Sequence, residues 1–445
     1  ARGAKLGVMS SMRSLLLAAL CVGLAVLRVG GSQLSSAVTP LSPLVQSLKA
    51  SRTIEIHALT KALEAEGKDV VSLCVGEPDF EPPDYVLQAT ARAAASGHTK
   101  YTAVSGDLNL RAAICRDLER RKGTGYSPEQ VLVSNGAKQS VFQAVLALCA
   151  PGDEVIIPAP YWPSYPEITR LAGATPVIVE TKAENGFALT AQELRAALSP
   201  RTRMLMLCNP VNPTGALLTE TALNSLADVL LEEKHEQVWT LADEIYERIV
   251  YGEAPHVSFA AVRGGALKSR TLVVNGFSKS HAMTGYRLGY LAAENVDVVK
   301  ACTKLQSQLT SCASSIAQEA AKEALADAER DDKFIQQSIE ELKAKRDLTC
   351  TRISEIPGTT LRDVPEGAFY VFPSVSELIG KKTPAGEVLS TSHDLCLHLL
   401  KDYNVALVPG EGFGYTETIR ISYATSVPVI EEAMRRMSKC FAALQ

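Results

Sequence analysis

The chain has 445 residues, of which 46% are hydrophobic and 21% are charged, and its formal net charge is −4. This length allows two domains with sizeable cores. The slightly acidic balance argues against a general nucleic-acid binder, which needs clustered lysine and arginine. Ten cysteines are scattered without a CxxC pair, so we expect reduced, structural thiols rather than a disulfide framework.

The first fifty residues have the composition of a targeting leader. SLLLAALCVGLAVL is an uncharged run that is too short for an ordinary membrane span and is typical of a signal-peptide core. Serine recurs after it, and no aspartate or glutamate occurs before Glu55. We therefore expect residues 1–50 to be a two-part leader outside the fold. It resembles the leaders of algae whose plastids are reached through the secretory system, so a plastid is the expected destination, with another organelle or the cytoplasm as alternatives.

The next part of the chain alternates apolar runs with helical stretches. VVSLCVG predicts a strand and DYVLQATARAAASG predicts the helix after it. The series of strands continues with VLVSN, EVIIP, TPVIVE, RMLMLCN, QVWTLAD, RTLVVN and RLGYLAA. Continuous apolar strands that alternate with helices indicate a mostly parallel sheet with helices on both faces.

After residue 309 the pattern changes. Two long helices at roughly 315–355, short strands (TTLRD, AFYVF, VALVP, TIRISYA) and a final helix from Val427 indicate an α+β arrangement. The sequence therefore predicts an α/β fold with a large, mostly parallel domain and a smaller α+β domain. The predicted boundaries are an N-terminal arm at 51–75, the large domain at 76–308 and the small domain at 309–445.

Polar and charged residues recur where the predicted strands end, which is where open parallel sheets bind ligands. In GFSKSHAMTG, Lys279 stands among small residues after a strand that we expect to be buried. ADEIYE puts Asp243 at a strand end with Tyr246 three residues on, although a strand-end acid is also a common helix cap. CNPVNPTG holds Asn212 in a proline-braced turn. TIRISYATS places Arg420 in an alternating strand, where a buried guanidinium needs an anion.

Two glycine-rich turns and one histidine–cysteine cluster suggest other ligands. In VLVSNGAKQS, the amides of a helix start can hold a phosphate, although any turn between a strand and a helix can carry a glycine. GEGFG precedes a predicted strand, and the chain has no Gly-x-Gly-x-x-Gly, so we expect no NAD site. In HDLCLH, His393 and Cys396 share a helix face but His398 points elsewhere. We therefore predict packing rather than a metal site there.

The collected side chains are those that a phosphorylated pyridine aldehyde requires. A lysine can bind the aldehyde covalently, and a carboxylate keeps the pyridine nitrogen protonated. An amide and a phenol can donate hydrogen bonds to the ring oxygen, and the indole of Trp162 in PAPYWPSYP can stack on the ring. A helix start holds the phosphate, and an arginine grips a substrate carboxylate through two hydrogen bonds. The sequence therefore predicts pyridoxal phosphate as the cofactor.

These motifs, in this order, resemble those of the class I, fold-type I aminotransferases over residues 51–445. GFSKSHAMTGYRLG matches the lysine signature of that family, and NPVNPTG, ADEIYE and IRISYATS reinforce the match. VGEPDF, KYTAVSGDLNLR, NGAKQ and PYWPSYPE make the chain similar to the bacterial-type aspartate aminotransferases, including the bifunctional aspartate/prephenate enzymes. The resemblance implies a fold-type I pyridoxal-phosphate transferase that forms a homodimer with shared active sites.

The resemblance also implies a role for each matching position. The catalytic residues would be Lys279, which holds the cofactor and moves a proton at the substrate Cα, with Asp243 and Tyr246. The cofactor-binding residues would be Lys279, Asp243, Tyr246, Asn212, Trp162, Gly136, Ala137, Lys138, Ser278, Arg287 and, from the neighbouring subunit, Tyr101. The substrate-binding residues would be Gly76, Trp162, Asn212, Arg420, Lys138 and Thr53.

Substrate choice depends on two of these positions. Lys138 matches the lysine that meets the distal carboxylate of aspartate or glutamate in this subgroup. Thr53 matches a threonine found in the enzymes that also accept prephenate. We therefore expect an acidic amino acid as donor and oxaloacetate, 2-oxoglutarate or prephenate as acceptor. Gly276 departs from the pattern, because some relatives have a serine hydroxyl there for the phosphate.

Other functions remain open at this point. The same cofactor serves aromatic and alanine-type aminotransferases and C–S lyases, although Lys138 argues against purely apolar substrates because an unpaired buried charge is costly. A non-enzymatic relative would use the fold only for binding, but no basic patch supports that alternative. An NAD-linked dehydrogenase would share the α/β layering but would need the missing glycine fingerprint.

Overall fold

A computed structural model of the chain describes residues 41–48 and 52–445. Most of the predicted leader therefore lies outside the described residues, and both its role and its destination stay predictions. Residues 41–48 contain one short helix, α1 (Pro43–Ser47), with a proline in its first turn. No helix in the described part of the chain is long and apolar enough to cross a bilayer.

The strands from residue 52 onward form three sheets. In chain order the strands are β1 (Val71–Ser72), β2 (Val131–Ser134), β3 (Glu154–Ala159), β4 (Thr175–Glu180), β5 (Thr202–Cys208), β6 (Trp239–Asp243), β7 (Thr271–Gly276), β8 (Gly289–Ala293), β9 (Tyr370–Val371), β10 (Val405–Ala406), β11 (Val408–Pro409) and β12 (Ile419–Ser422). The largest sheet has seven strands in the order β2-β8-β7-β6-β5-β3-β4. All its pairings are parallel except those of β8, which runs antiparallel to β2 and β7. The predicted α/β fold with a mostly parallel sheet is thus confirmed.

Helices surround these sheets. In chain order they are α2 (Arg52–Ala65), α3 (Asp84–Ala95), α4 (Leu108–Lys122), α5 (Ala137–Leu148), α6 (Ser164–Leu171), α7 (Ala191–Ala197), α8 (Glu220–Leu230), α9 (Val262–Gly265), α10 (Val296–Leu309), α11 (Ser315–Ala324), α12 (Ala328–Ser354), α13 (Ser392–Tyr403) and α14 (Val427–Ala442). Polar side chains begin several of them, because an oxygen at the cap accepts a free amide of the first turn. Asp107, for example, accepts from the amide of Leu110 at the start of α4.

Two smaller sheets are built mainly from the C-terminal part of the chain. Strands β11, β12 and β9 form an antiparallel sheet, and β1 pairs in parallel with β10. The sequence predicts a longer strand at 70–76 than the two residues of β1. That strand ends early because the carbonyl groups of Cys74 and Gly76 accept hydrogen bonds from the side chains of Arg420 and Lys279.

The packing of one helix bears on the predicted domain boundaries. Helix α11 follows residue 309 in the chain, yet it packs against α3, and Ala317 shares a buried cluster with Val86. The boundaries at 75/76 and 308/309 stay predictions. The predicted packing role of HDLCLH is consistent with Cys396, which is buried in the core around the smaller sheets, and with His398, whose Nδ1 lies 2.7 Å from a carboxylate oxygen of Asp402.

Candidate active site

One cavity of about 560 Å³ collects most of the predicted site residues. It lies beyond the carboxyl ends of β5, β6 and β7, next to the start of α5, which is where an open parallel sheet binds ligands. The predicted residues that line it are Gly76, Ala137, Lys138, Trp162, Asn212, Asp243, Tyr246, Ser278, Lys279, Arg287 and Arg420. Gly136 begins α5 directly beside them.

Lys279 projects into this cavity from the loop that follows β7. Its ammonium donates a hydrogen bond to the carbonyl of Gly76 and lies 5.9 Å from the ring centroid of Tyr246. Burial lowers the pKa of Lys279 to about 8, since removal from water disfavours the charged form. The nearby charge of Arg420 acts in the same direction, whereas that of Glu77 opposes it. A substantial share of this amine is therefore neutral near pH 8.

Asp243 ends β6 and is almost fully buried. Burial raises its pKa to about 6, although hydrogen bonds to the carboxylate oppose the shift. The hydroxyl of Tyr165 donates one of these bonds at 2.7 Å, and the amide of Ile245 donates another at 3.3 Å. The carboxylate is therefore oriented by these two bonds, and it forms no ion pair within residues 52–445.

The segment that carries Asp243 and Tyr246 is anchored from behind by buried ion pairs. Lys122 pairs with Glu244, and Arg121 pairs with Glu247 at 2.6 Å. Burial would raise the pKa of Glu247, but the charges of Arg121 and Lys122 outweigh burial and lower it. None of the four paired residues lines the cavity, so this buried network holds the loop without forming the cavity wall.

Arg420 lies at the bottom of the cavity and is only 4% exposed. Its Nη1 donates to the side-chain oxygen of Asn212 at 3.2 Å, and its Nη2 donates to the carbonyl of Cys74 at 2.8 Å. Asn212 in turn donates to the hydroxyl of Tyr246 at 3.4 Å. The Nε of Arg420 is buried and has no hydrogen-bond partner among the described residues. A buried donor of this kind requires an acceptor, which a bound carboxylate would supply.

The start of α5 forms the other end of the cavity. Gly136 has a φ of 83°, and a side chain there would also come within 2.7 Å of the guanidinium of Arg287. A Cβ on Gly289 would overlap the amide nitrogen of Ala137, so glycine lets this helix start lie against β8. Gly276 faces Gly289 across β7 and β8, and a Cβ on Gly276 would come within 2.8 Å of the Gly289 Cα. A serine at 276 would therefore require β8 to move.

Four cations converge on this cavity. Arg420 and Lys279 lie deep in it, whereas Lys138 and Arg287 lie at its rim. Partial burial and the charge of Arg287 lower the pKa of Lys138, whose ammonium sits 4.7 Å from the ring centroid of Trp162. Across residues 52–445, none of these four forms an ion pair with a carboxylate. The cavity is therefore suited to a ligand with more than one anionic group.

One predicted residue is not brought to the cavity, and the side chain of another lies outside the described residues. Tyr101 is 88% exposed and does not line it. Thr53 lies in α2, but its side chain is outside the described residues.

The model of the family described as "Aminotransferase class I and II" matches residues 68–437 of this chain. The chain belongs to this family. The predicted resemblance is thus confirmed at the level of the family, and the protein is an aminotransferase.

Individual relatives agree with this assignment. The aminotransferase is 44% identical to the "Bifunctional aspartate aminotransferase and glutamate/aspartate-prephenate aminotransferase" of Petunia hybrida, over 91% of this chain and 83% of the relative. The crystal structure of the aspartate aminotransferase from Rhizobium meliloti superposes with a TM-score of 0.86 and 42% identity, over 91% of this chain and 100% of that chain. The aspartate aminotransferase from Thermus thermophilus with maleate gives a TM-score of 0.83 and 37% identity, over 90% and 99% of the two chains.

Sequence reasoning missed two buried tyrosines of the aminotransferase's cavity. Tyr165 belongs to the motif that supplied Trp162, and the two ring centroids lie 5.4 Å apart, so the short spacing in the sequence could have pointed to it. Tyr370 belongs to AFYVF, where the surrounding apolar residues indicated only a strand. Its hydroxyl contacts that of Tyr246 from a distant part of the chain, so no local signal could have found it.

Proposed function

We propose that this aminotransferase uses pyridoxal phosphate to transfer the amino group between aspartate or glutamate and a 2-oxo acid. The observation that carries the proposal is the set of four cations around one cavity, none paired with a carboxylate of the described chain, together with the unpartnered Nε of Arg420. A phosphate and a substrate with two carboxylates supply the anions that these groups require.

The residues present fit the proposed cofactor. Its phosphate would be held by the amides at the start of α5, the hydroxyl of Ser278 and the guanidinium of Arg287. The packing at Gly276 accounts for the missing serine, and the net loss of one side-chain hydrogen bond is small, about 0.5–1.5 kcal/mol. When bound, the cofactor supplies a protonated ring that withdraws electrons from the substrate Cα.

The surroundings of the ring follow from the same cavity. Asp243 would pair with the ring nitrogen, which would give this buried carboxylate the ion-pair partner that it lacks among the described residues. Asn212 and Tyr246 would donate hydrogen bonds to the ring oxygen. Their polar groups already lie together, since the amide nitrogen of Asn212 contacts the hydroxyl of Tyr246. The indole of Trp162 lines the wall of the cavity and would stack on the ring.

Lys279 would carry the proton transfer. With a pKa of about 8, its amine is in part uncharged near neutral pH, and an uncharged amine can both attach an aldehyde and accept a proton. The same amine would take a proton from the substrate Cα and return it on the other side of the reaction. The small residues around Lys279 leave room for this movement.

The two ends of the cavity would select a substrate with two carboxylates. Arg420 would bind the α-carboxylate through its free Nε and an adjacent guanidinium nitrogen, beside the backbone of Gly76. Lys138, at the rim, would meet the distal carboxylate. The Thermus thermophilus neighbour was solved with maleate, which also carries two carboxylates. The printed name of the Petunia hybrida relative supports prephenate as a further acceptor, with Thr53 as the predicted contact.

A homodimer would complete the site. Tyr101 is a large side chain with 88% of its surface exposed, and it follows helix α3 on the outside of the molecule. In the proposed dimer, Tyr101 of each subunit would reach the phosphate of the other. Exposed aromatic residues of this kind are typical of interfaces.

The test begins with the attachment of the cofactor. Purified residues 52–445 loaded with pyridoxal phosphate would be reduced with borohydride, digested and mapped by mass spectrometry. We expect the pyridoxyl group on Lys279, and its attachment to any other lysine would contradict the assignment. Lys300, an exposed surface lysine, is the matched control.

The substrates would then be tested in separate half-reactions. Aspartate or glutamate alone should change the absorbance of the bound cofactor, and a 2-oxo acid should restore it. Restoration by prephenate would support the bifunctional activity, whereas restoration by oxaloacetate or 2-oxoglutarate alone would restrict the enzyme to ordinary aspartate aminotransfer. Release of pyruvate from cystathionine without any half-reaction would contradict the proposal and indicate a C–S lyase.

A further inference from the structure

Tyr370 is a buried side chain of β9 that touches two groups of the proposed site. It is 1% exposed and lines the cavity. Its hydroxyl lies 2.9 Å from the hydroxyl of Tyr246, and its ring centroid lies 4.4 Å from the guanidinium carbon of Arg420. Its hydroxyl also fills the space where a side chain on Gly76 would lie, 2.8 Å from the ideal Cβ position.

These contacts belong to a closed series of four side chains, Arg420, Asn212, Tyr246 and Tyr370, which we call the circuit. Arg420 donates to Asn212 at 3.2 Å, and Asn212 donates to Tyr246 at 3.4 Å. Tyr246 meets Tyr370 at 2.9 Å, and the ring of Tyr370 returns to the guanidinium of Arg420. The four residues come from four separate segments of the chain, so the circuit links the large sheet to the smaller one.

We propose that Tyr370 is a positioning residue that fixes the side chains of Arg420 and Tyr246 relative to each other. Its ring keeps the guanidinium oriented for the substrate α-carboxylate, and its hydroxyl directs the hydrogen of Tyr246 toward the ring oxygen of the cofactor. The inference rests on the proposed function, because it concerns how that site is organised.

The direction of the hydrogen bond follows from the partners available. Tyr246 is the one hydrogen-bond partner found for the Tyr370 hydroxyl within the described chain. A buried hydroxyl hydrogen requires an acceptor, so Tyr370 donates to Tyr246 whenever Tyr246 donates elsewhere. Each bond in such a chain strengthens the next, which makes Tyr246 a better donor to an oxygen in the cavity.

The ring of Tyr370 acts on Arg420 by a different contact. The guanidinium carbon lies 4.4 Å from the ring centroid of Tyr370 and 5.1 Å from that of Phe413. Nη1 donates to Asn212 and Nη2 donates to the carbonyl of Cys74, whereas Nε has no partner among the described residues. The two rings therefore stabilise the charge, and the Nε–H remains available to a ligand carboxylate.

The first part of the test asks whether the hydroxyl of Tyr370 affects the titration of the bound cofactor. The absorbance of the cofactor-loaded enzyme is titrated with pH for the wild type, for Tyr370→Phe and for Tyr423→Phe. Tyr423 is an equally buried tyrosine whose hydroxyl donates to Tyr251 at 3.2 Å, and it does not line the cavity. The charged groups that face the Tyr246–Tyr370 pair are Arg420, Lys279 and Glu77, and all three are unchanged in these variants.

We expect the midpoint of the absorbance change to rise in Tyr370→Phe by roughly 0.2–0.6 pH unit, because a weaker donor at Tyr246 stabilises the deprotonated ring oxygen less. The midpoint of Tyr423→Phe should stay at the wild-type value. An unshifted midpoint in Tyr370→Phe, or an equal shift in Tyr423→Phe, overturns the role of the hydroxyl.

The second part of the test asks whether the ring of Tyr370 affects binding, and it measures the affinity for maleate as a non-reacting ligand. Tyr370→Leu should weaken maleate binding roughly 5- to 30-fold, because the cation–π contact with Arg420 is lost. Tyr370→Phe keeps the ring and should stay within about twofold of the wild type. Equal weakening in both variants overturns the role of the ring, and if Tyr370→Leu does not fold, the titration of Tyr370→Phe decides alone. A wild-type enzyme without any bound-cofactor absorbance contradicts the proposed function instead.

Discussion

The large sheet and the smaller antiparallel sheet supply the cavity in different ways. The large sheet presents Asp243 at the end of β6 and Lys279 just beyond the end of β7. The smaller sheet presents Arg420 and Tyr370 from inside β12 and β9, which lie side by side. The first arrangement follows from strand topology alone, whereas the second depends on which short strands pair.

The difference indicates a division of work between the two regions. The large sheet carries the groups proposed for the cofactor and anchors one of its loops with buried ion pairs. The smaller sheet carries the guanidinium proposed for the substrate and the ring that flanks it. Loss of Lys279, in the large region, should therefore abolish chemistry, and loss of Arg420, in the smaller region, should mainly affect substrate binding.

Lys279→Ala tests the large region and should have the largest effect. Loss of the covalent attachment and of the proton carrier should lower kcat by at least about 10⁴-fold. The measurement is steady-state aminotransfer from aspartate, with Lys300→Ala as the surface control. Full activity in Lys279→Ala would remove the basis of the assignment.

Arg420→Leu tests the smaller region. It removes one partner of the proposed buried charge pair, so kcat/KM for aspartate should fall roughly 100- to 1,000-fold. Cofactor affinity should change far less, and the exposed Arg435→Leu variant should resemble the wild type. Loss of cofactor binding in Arg420→Leu would show that the two regions do not divide the work as described.

Asp243 allows a test on the cofactor-free protein. Its pKa in the folded state is about 6, against an ordinary value of 3.8. The folded state therefore holds this proton more tightly, and the resulting stability is present at low pH and lost as pH rises through about 6. Relative to Asp243→Asn, the wild type should lose roughly 2 kcal/mol of unfolding free energy between about pH 4.5 and about pH 7.5.

The measurement is denaturant unfolding of both proteins at the two pH values. The cofactor should reduce the dependence, because a protonated ring nitrogen favours the ionised carboxylate. The raised pKa would be contradicted if, without cofactor, the unfolding free energies of the wild type and of Asp243→Asn changed equally between the two pH values.

Lys138→Gln should have the smallest and most selective effect. Removal of the rim charge should lower kcat/KM for aspartate relative to alanine by roughly tenfold, since only aspartate has a distal carboxylate. The ratio of the kcat/KM values for aspartate and alanine also controls for an effect of the substitution on binding of the cofactor phosphate, because such an effect would change both values alike. An unchanged ratio would place the distal carboxylate elsewhere.

The same contrast explains which features the sequence could predict. Asp243 and Lys279 follow apolar runs, so their position at the ends of parallel strands could be predicted from the pattern. Helix α3 lies within DYVLQATARAAASG and helix α14 begins at Val427, as the sequence indicated. In both cases the signal is local.

Tyr370 and the shortened strand β1 could not be predicted in this way. Tyr370 meets Tyr246 across 124 positions of the chain, and both residues of β9 are buried, so alternation does not reveal the face that lines the cavity. The apolar run at 70–76 looks like one strand, but its last carbonyls serve Arg420 and Lys279 instead of a neighbouring strand. Such partners are fixed only by the tertiary structure.

The pairing of β1 with β10 also sets the order in which the site can form during synthesis. Val71 pairs with Val405, and the carbonyl of Leu73 accepts from the amide of Ser422. The backbone of Val71, Ser72 and Leu73 therefore lacks these partners until almost all of the described chain has left the ribosome. All seven strands of the large sheet precede Arg420 in the chain, so the proposed carboxylate-binding residue is the later of the two to be synthesised.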